Sequence, residues 1–134
     1  MIGAIELRCA HYLLAVGAED LELHDDGTST WRALFALLAD GTRVIVRGSL
    51  GEREIAELGT RIDELLRGER AAVSFLTGDG TLYVALERRK GDELGLFVRL
   101  VSDASRGAYS CAETRASRAR VAQLARDALG FPYG

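Results

Sequence analysis

The dipeptide Asp40-Gly41 constrains this chain more than any other pair of residues. Asp-Gly is the strongest short hairpin signal, because a two-residue primed turn needs positive φ and glycine takes it without strain. A turn there fixes a register. Ala39 faces Thr42, Leu37 faces Val44, Phe35 faces Val46, Ala33 faces Gly48 and Trp31 faces Leu50. The large apolar partners then share one face. The other face pairs Leu38 with Arg43, Leu34 with Arg47 and Arg32 with Ser49. A slip of one residue would exchange the two faces. "WRALFALLA" has the Ala and Leu content of a helix, but this pairing makes it a strand. The preceding "HDDGTST" is then the loop that enters the strand. Its Asp, Gly, Ser and Thr residues are turn formers rather than a reactive group at a helix head.

The helical spacing of Ile55, Leu58, Ile62, Leu65 and Leu66 predicts an amphipathic helix within "SLGEREIAELGTRIDELLRG". Ser49 and Glu52 have capping-box spacing, and Gly68 is a natural C-terminal stop. In "AAVSFLTGDGTLYVALERR", a two-residue turn at Asp79-Gly80 pairs Phe75 with Val84 and Val73 with Leu86. A loop near residues 91–93 leads into "LGLFVRLV", where Leu94, Leu96, Val98 and Leu100 share a face. "GAYSCAET" reads as a weaker strand after the polar "SDASRG". A C-terminal helix follows, with Val121, Leu124, Ala125, Ala128 and Leu129 on one face. Thr114 or Ser117 caps it, and Gly130 with Pro132 ends it. At the front, "AIELRC" alternates with Ile5, Leu7 and Cys9 on one side. "HYLLAV" reads as a second strand and "DLELH" as a third, short one. No internal repeat is visible. The expectation is a single α+β domain over residues 1–134. It has a mostly antiparallel meander sheet of seven to nine strands, one mid-chain helix and one C-terminal helix covering one face.

A chain of 134 residues is one domain by length. Its net charge of −3 gives no bulk attraction to nucleic acid or anionic membrane. Residues 1–67 hold 7 basic and 12 acidic groups, and residues 68–134 hold 10 and 8. All the basic residues but Lys90 are Arg, a mark of a GC-rich genome rather than of an arginine recognition surface. No apolar run reaches the roughly 18–20 residues of a membrane span. The N-terminal stretch lacks a basic region, and Glu6 and Arg8 interrupt its apolar run, so it does not read as a signal peptide. Cys9 and Cys111 make no disulfide framework, so a cytoplasmic location is expected.

The chemistry-bearing residues form no catalytic set. Cys9, His11, His24 and Cys111 could supply four zinc ligands, but their spacing matches no zinc motif. Cys9 and His11 are close in sequence, yet neighbouring strand positions splay a thiol and its base apart. "TGDGT" lacks the lysine and following helix of a phosphate loop. The C-terminal arginines Arg115, Arg118, Arg120 and Arg126, with "ERRK" at 87–90, are not interleaved with aromatics in sequence. The expectations are therefore no enzyme, no cofactor, no metal, no nucleic acid and no membrane. The most distinctive charge feature is acidic. Glu19, Asp20, Glu22, Asp25 and Asp26 form one strip, and Glu54, Glu57 and Glu64 lie on the helix with Glu52 and Asp63. These carboxylates are candidate contacts for a basic protein partner.

A resemblance joins these elements. "HYLLAVGAEDLEL", the acidic loop, "STWRALFAL", "ELGTRIDELLRGE" and "AVSFLTGDGTLYVALER" follow one another in the order seen in the WapI-type bacterial immunity proteins and related small bacterial domains. The matching points are Trp31, Leu65, Leu66, Gly68, Ser74 and Phe75, and the similarity spans most of residues 11–129. The resemblance implies a non-catalytic, cytoplasmic single domain that binds and blocks a toxin. The competing expectation is an accessory or structural subunit of a complex, or a homodimer.

Overall fold

Asp40 and Gly41 both take positive φ, 50° and 79°, in a computed structural model that describes residues 1–133. The turn joins β3 (Ser29–Ala39) to β4 (Thr42–Gly51) in the predicted register, Phe35 against Val46 and Trp31 against Leu50. The opening loop is a turn as well. Gly27 N–H donates to His24 O at 3.1 Å, and Gly27 has φ 86°.

Before β3 lie β1 (Gly3–Arg8) and β2 (Tyr12–Leu23). The expectation of two short strands in the second region is corrected, since β2 runs unbroken. A bulge between Ala18 and Asp20 is the reason. The extra residue shifts the apolar positions from even (Leu14, Val16, Ala18, all buried) to odd, with Leu21 opposite Trp31, although Leu21 and Leu23 are themselves exposed. The broken alternation mimics two strands. Cys9 falls in the turn between β1 and β2 rather than on the β1 face.

Helix α1 spans Glu54–Leu66 and buries Ile55, Leu58, Ile62 and Leu65. The predicted capping box does not form, because pairing with Arg32 keeps Ser49 inside β4. Arg53 occupies the N-cap position without a side-chain cap. Gly68 ends the helix with φ 80°. Its N–H donates to Leu65 O, and Glu69 N–H reaches back to Glu64 O, a paired stop that satisfies the last carbonyls.

Four strands and a helix follow: β5 (Ala72–Leu76), β6 (Leu82–Arg88), β7 (Glu93–Asp103), β8 (Ala108–Ser117) and α2 (Arg118–Leu129). Phe75 pairs with Val84 and Val73 with Leu86, as the sequence predicted. The turn itself sits one residue earlier. Gly80 N–H donates to Thr77 O at 2.9 Å, so Gly78 and Asp79 are central and Gly80, φ 78°, follows. The Ser117 hydroxyl caps α2 by accepting from Arg120 N–H. Leu129, predicted on the buried face, is 46% exposed, because the chain turns at Gly130 and buries Phe131 and Pro132 instead.

The strands form two sheets, not one. Their orders are β1-β2-β3-β4 and β5-β6-β7-β8, all antiparallel. The apolar stripe of α1 must be buried, and inserting it between β4 and β5 ends the first meander. The chain therefore repeats one unit, four strands then a helix, which the sequence does not disclose because the two halves share an arrangement and not a residue pattern. The inner faces of both sheets and both helices feed one buried cluster, from Phe35 and Leu50 through Ile62 to Leu100 and Val121.

Candidate functional site

The acidic candidates are largely occupied within the molecule. Arg32 Nε lies 3.0 Å from Glu22 and 3.4 Å from Asp20. Glu19 approaches Arg47 at 4.0 Å, and its Oε1 is buried without a hydrogen-bond partner among the described residues. Asp26 accepts from the backbone N–H and the hydroxyl of Thr28, and these bonds hold its carboxyl below the ordinary range. Asp25 alone in the strip makes no side-chain bond among the described residues. On α1, Glu57 pairs with Arg61 at 2.8 Å and Glu64 with Arg70 at 2.7 Å. Glu54 has a structural task that sequence reasoning missed. One carboxylate oxygen accepts from Gly51 N–H at 2.8 Å, and the other accepts from Gly78 N–H. It thereby ties the end of β4 to the β5–β6 turn.

The remaining reactive types do not converge. Among the described residues, no group of three or more His, Cys, Asp and Glu could hold a metal ion. Cys9 packs half-buried against the core, and burial pushes its thiol up although Arg120 opposes this. Cys111 is exposed on β8. His24 Nε2 hydrogen-bonds the Thr30 hydroxyl at 2.8 Å, inside the loop that the sequence assigned to turn chemistry. No helix among the described residues is long and apolar enough to cross a membrane.

A concavity lies on the outer face of the second sheet. It is an open groove of about 790 Å³. Ser74, Ala85 and Phe97 lie across its floor, and Tyr83 stands beside them. The Tyr83 and Phe97 rings meet edge to face at 6.0 Å, and the Arg99 guanidinium lies 5.1 Å over the Tyr83 ring. One wall is Arg61, Glu64 and Arg70, at the edge where α1 flanks β5. Arg61 is fixed there because it also donates to Ser74 O at 2.6 Å. Glu87 and Arg89, beyond Ala72 on the neighbouring strand, and Glu113 on β8 also line the groove. Gly95 makes room for Arg89: a Cβ on Gly95 would come within 2.7 Å of Arg89 Nε. Of the sequence-predicted contacts, only Glu64 lines this groove. The remainder of the groove was missed, because strand alternation marks Tyr83, Phe97 and Arg99 only as outward-facing.

No protein-family model matches the chain, and no curated protein does. Solved structures resemble it, two of them over nearly the whole chain. One is WHY1 from Arabidopsis thaliana, 16% identical, with a TM-score of 0.50 over 98% of this chain and 85% of that one. The other is MRP1/MRP2 from Trypanosoma bruciei, 14% identical, with a TM-score of 0.50 over 96% of this chain and 83% of that one. At these identities the likeness is one of fold: two four-stranded antiparallel sheets, each followed by a helix.

Proposed function

We propose that this chain is a non-enzymatic protein-binding domain, and that a partner docks in the groove on the outer face of the second sheet. One observation carries the reading: two half-buried aromatic rings, Tyr83 and Phe97, sit between charged side chains already held in place by intramolecular pairs. Aromatic and arginine side chains concentrate binding energy in protein interfaces, and pre-fixed ones lose little freedom on docking. Arginine stacked on an aromatic would also suit single-stranded nucleic acid. Glu64, Glu87 and Glu113 in the same groove oppose phosphate, as does the net charge of −3.

The resemblance to immunity-type proteins supplies the partner class, a bacterial toxin domain in the cytoplasm, blocked when its working surface is covered. The strip from Glu19 to Asp26 is a secondary contact that favours a partner with a basic surface. Its charges are shared with Arg32, so it steers weakly. The test is affinity capture from the native host with the wild-type chain and with Tyr83→Ala/Phe97→Ala. The reading expects a protein that the wild type retains and the variant loses, with circular dichroism unchanged. A protein retained equally by both would move the site elsewhere.

A further inference from the structure

Strands at sheet edges carry backbone groups that seek partners. The β5 edge is met by α1, through Arg61 and Ser74 O. The β1 edge lies beside α2, and β4 and β8 are left open. Between Thr42 and Gly48 on β4, and between Tyr109 and Ser117 on β8, the described residues make no backbone hydrogen bond outside their own sheet ladders. Side-chain charge separates the two. On β4, a two-fold pairing with another copy centred at Ile45 sets Arg43 against Arg47, so like charges guard that edge. On β8 the same operation centred at Thr114 sets Glu113 against the second copy's Arg115, and Arg115 against its Glu113. The flanking pairs, Ala112 with Ala116 and Cys111 with Ser117, are small and obstruct nothing.

We infer that β8 pairs with β8 of a second copy, antiparallel and centred on Thr114, joining two second sheets into one eight-stranded sheet. Residues 111–117 of each chain form the seam. The backbone edge supplies affinity, and the two Glu113–Arg115 pairs set the register. Arg115 already meets Glu93 at 3.4 Å, but both side chains are exposed, and such pairs hold weakly enough to be exchanged. A closed two-fold uses up the edge, so the assembly stops at two. The seam is short for a specific interface, so the dimer is weak and concentration-dependent.

Sedimentation equilibrium of the full chain over a wide concentration range tests this. A reversible monomer–dimer equilibrium is expected. Glu113→Arg should weaken it at least tenfold, and Glu113→Arg/Arg115→Glu should restore it, with thermal melts unchanged because both side chains are exposed. Register is read by cross-linking. Thr114→Cys in a Cys111→Ser background should oxidise readily to a covalent dimer. Wild-type Cys111, set far from its counterpart, should not. A monomer at every concentration would overturn the inference. So would a dimer indifferent to Glu113→Arg, or one that cross-links through Cys111 and not through position 114.

Discussion

Asp79 shows how single side chains join the two halves. Its Oδ2 accepts from Ser49 N–H at 2.9 Å, and its Oδ1 accepts from Thr81 N–H and the Thr77 hydroxyl. Burial pushes its carboxyl up, but these hydrogen bonds outweigh burial and hold it below the ordinary value. The sign follows from linkage. A depressed folded-state pKa contributes stability that is fully present above the unfolded value, near pH 4, and is lost as pH falls below that value and through the lower folded-state one. Asp79→Asn should cost about 1–2 kcal/mol at neutral pH. It should also flatten the stability profile below about pH 4, relative to wild type, in urea melts across pH. An unchanged acid limb would show that another carboxylate sets it. Gly41→Ala should cost about 1 kcal/mol in the same melts, since φ of 79° strains any Cβ. Equal stability would contradict the primed turn. Asp40-Gly41 was legible in the sequence because a two-residue turn is a local fact. Asp79's reach to Ser49 was not, since it spans 30 positions.

The helices meet at Gly59, where a Cβ would lie 2.9 Å from Ala125 O and 3.0 Å from Leu129 Cγ. Two effects compete at this site. Alanine is better than glycine inside a helix by about 1 kcal/mol. Overlap with a backbone carbonyl across a close crossing costs about 1–3 kcal/mol, since neither helix can yield without disturbing the core. Gly59→Ala should therefore destabilise despite its better propensity, and a stabilised variant in thermal melts would mean that α1 and α2 cross less closely. Element identities were largely legible: the hairpin register, the α1 stripe and the Ser117 cap all follow from local pattern. The division into two sheets was not. It depends on where α1 buries its stripe, and a list of antiparallel strands is equally compatible with one sheet.

The fold places two four-stranded sheets and two helices around one core and turns the outer face of the second sheet to solvent. The candidate groove is assembled there from α1, the turn after it and strands β5 to β8. Its residues are scattered from Arg61 to Glu113, and no sequence motif spans them. The acidic residues were conspicuous in sequence because they are contiguous, but the fold commits most of them to Arg32, Arg61, Arg70 and nearby backbone. The groove, and not the acidic strip, is therefore the proposed docking site. The most direct measurement is a calorimetric titration of the captured partner into wild type, Tyr83→Ala/Phe97→Ala and Asp25→Lys. Removing the two rings should weaken binding by roughly 2 kcal/mol or more, about thirtyfold. Reversing Asp25 should change affinity by only a few tenths of a kcal/mol, more at low salt than at high. Full affinity in the ring variant, with loss in the Asp25 variant, would contradict the groove as the docking site.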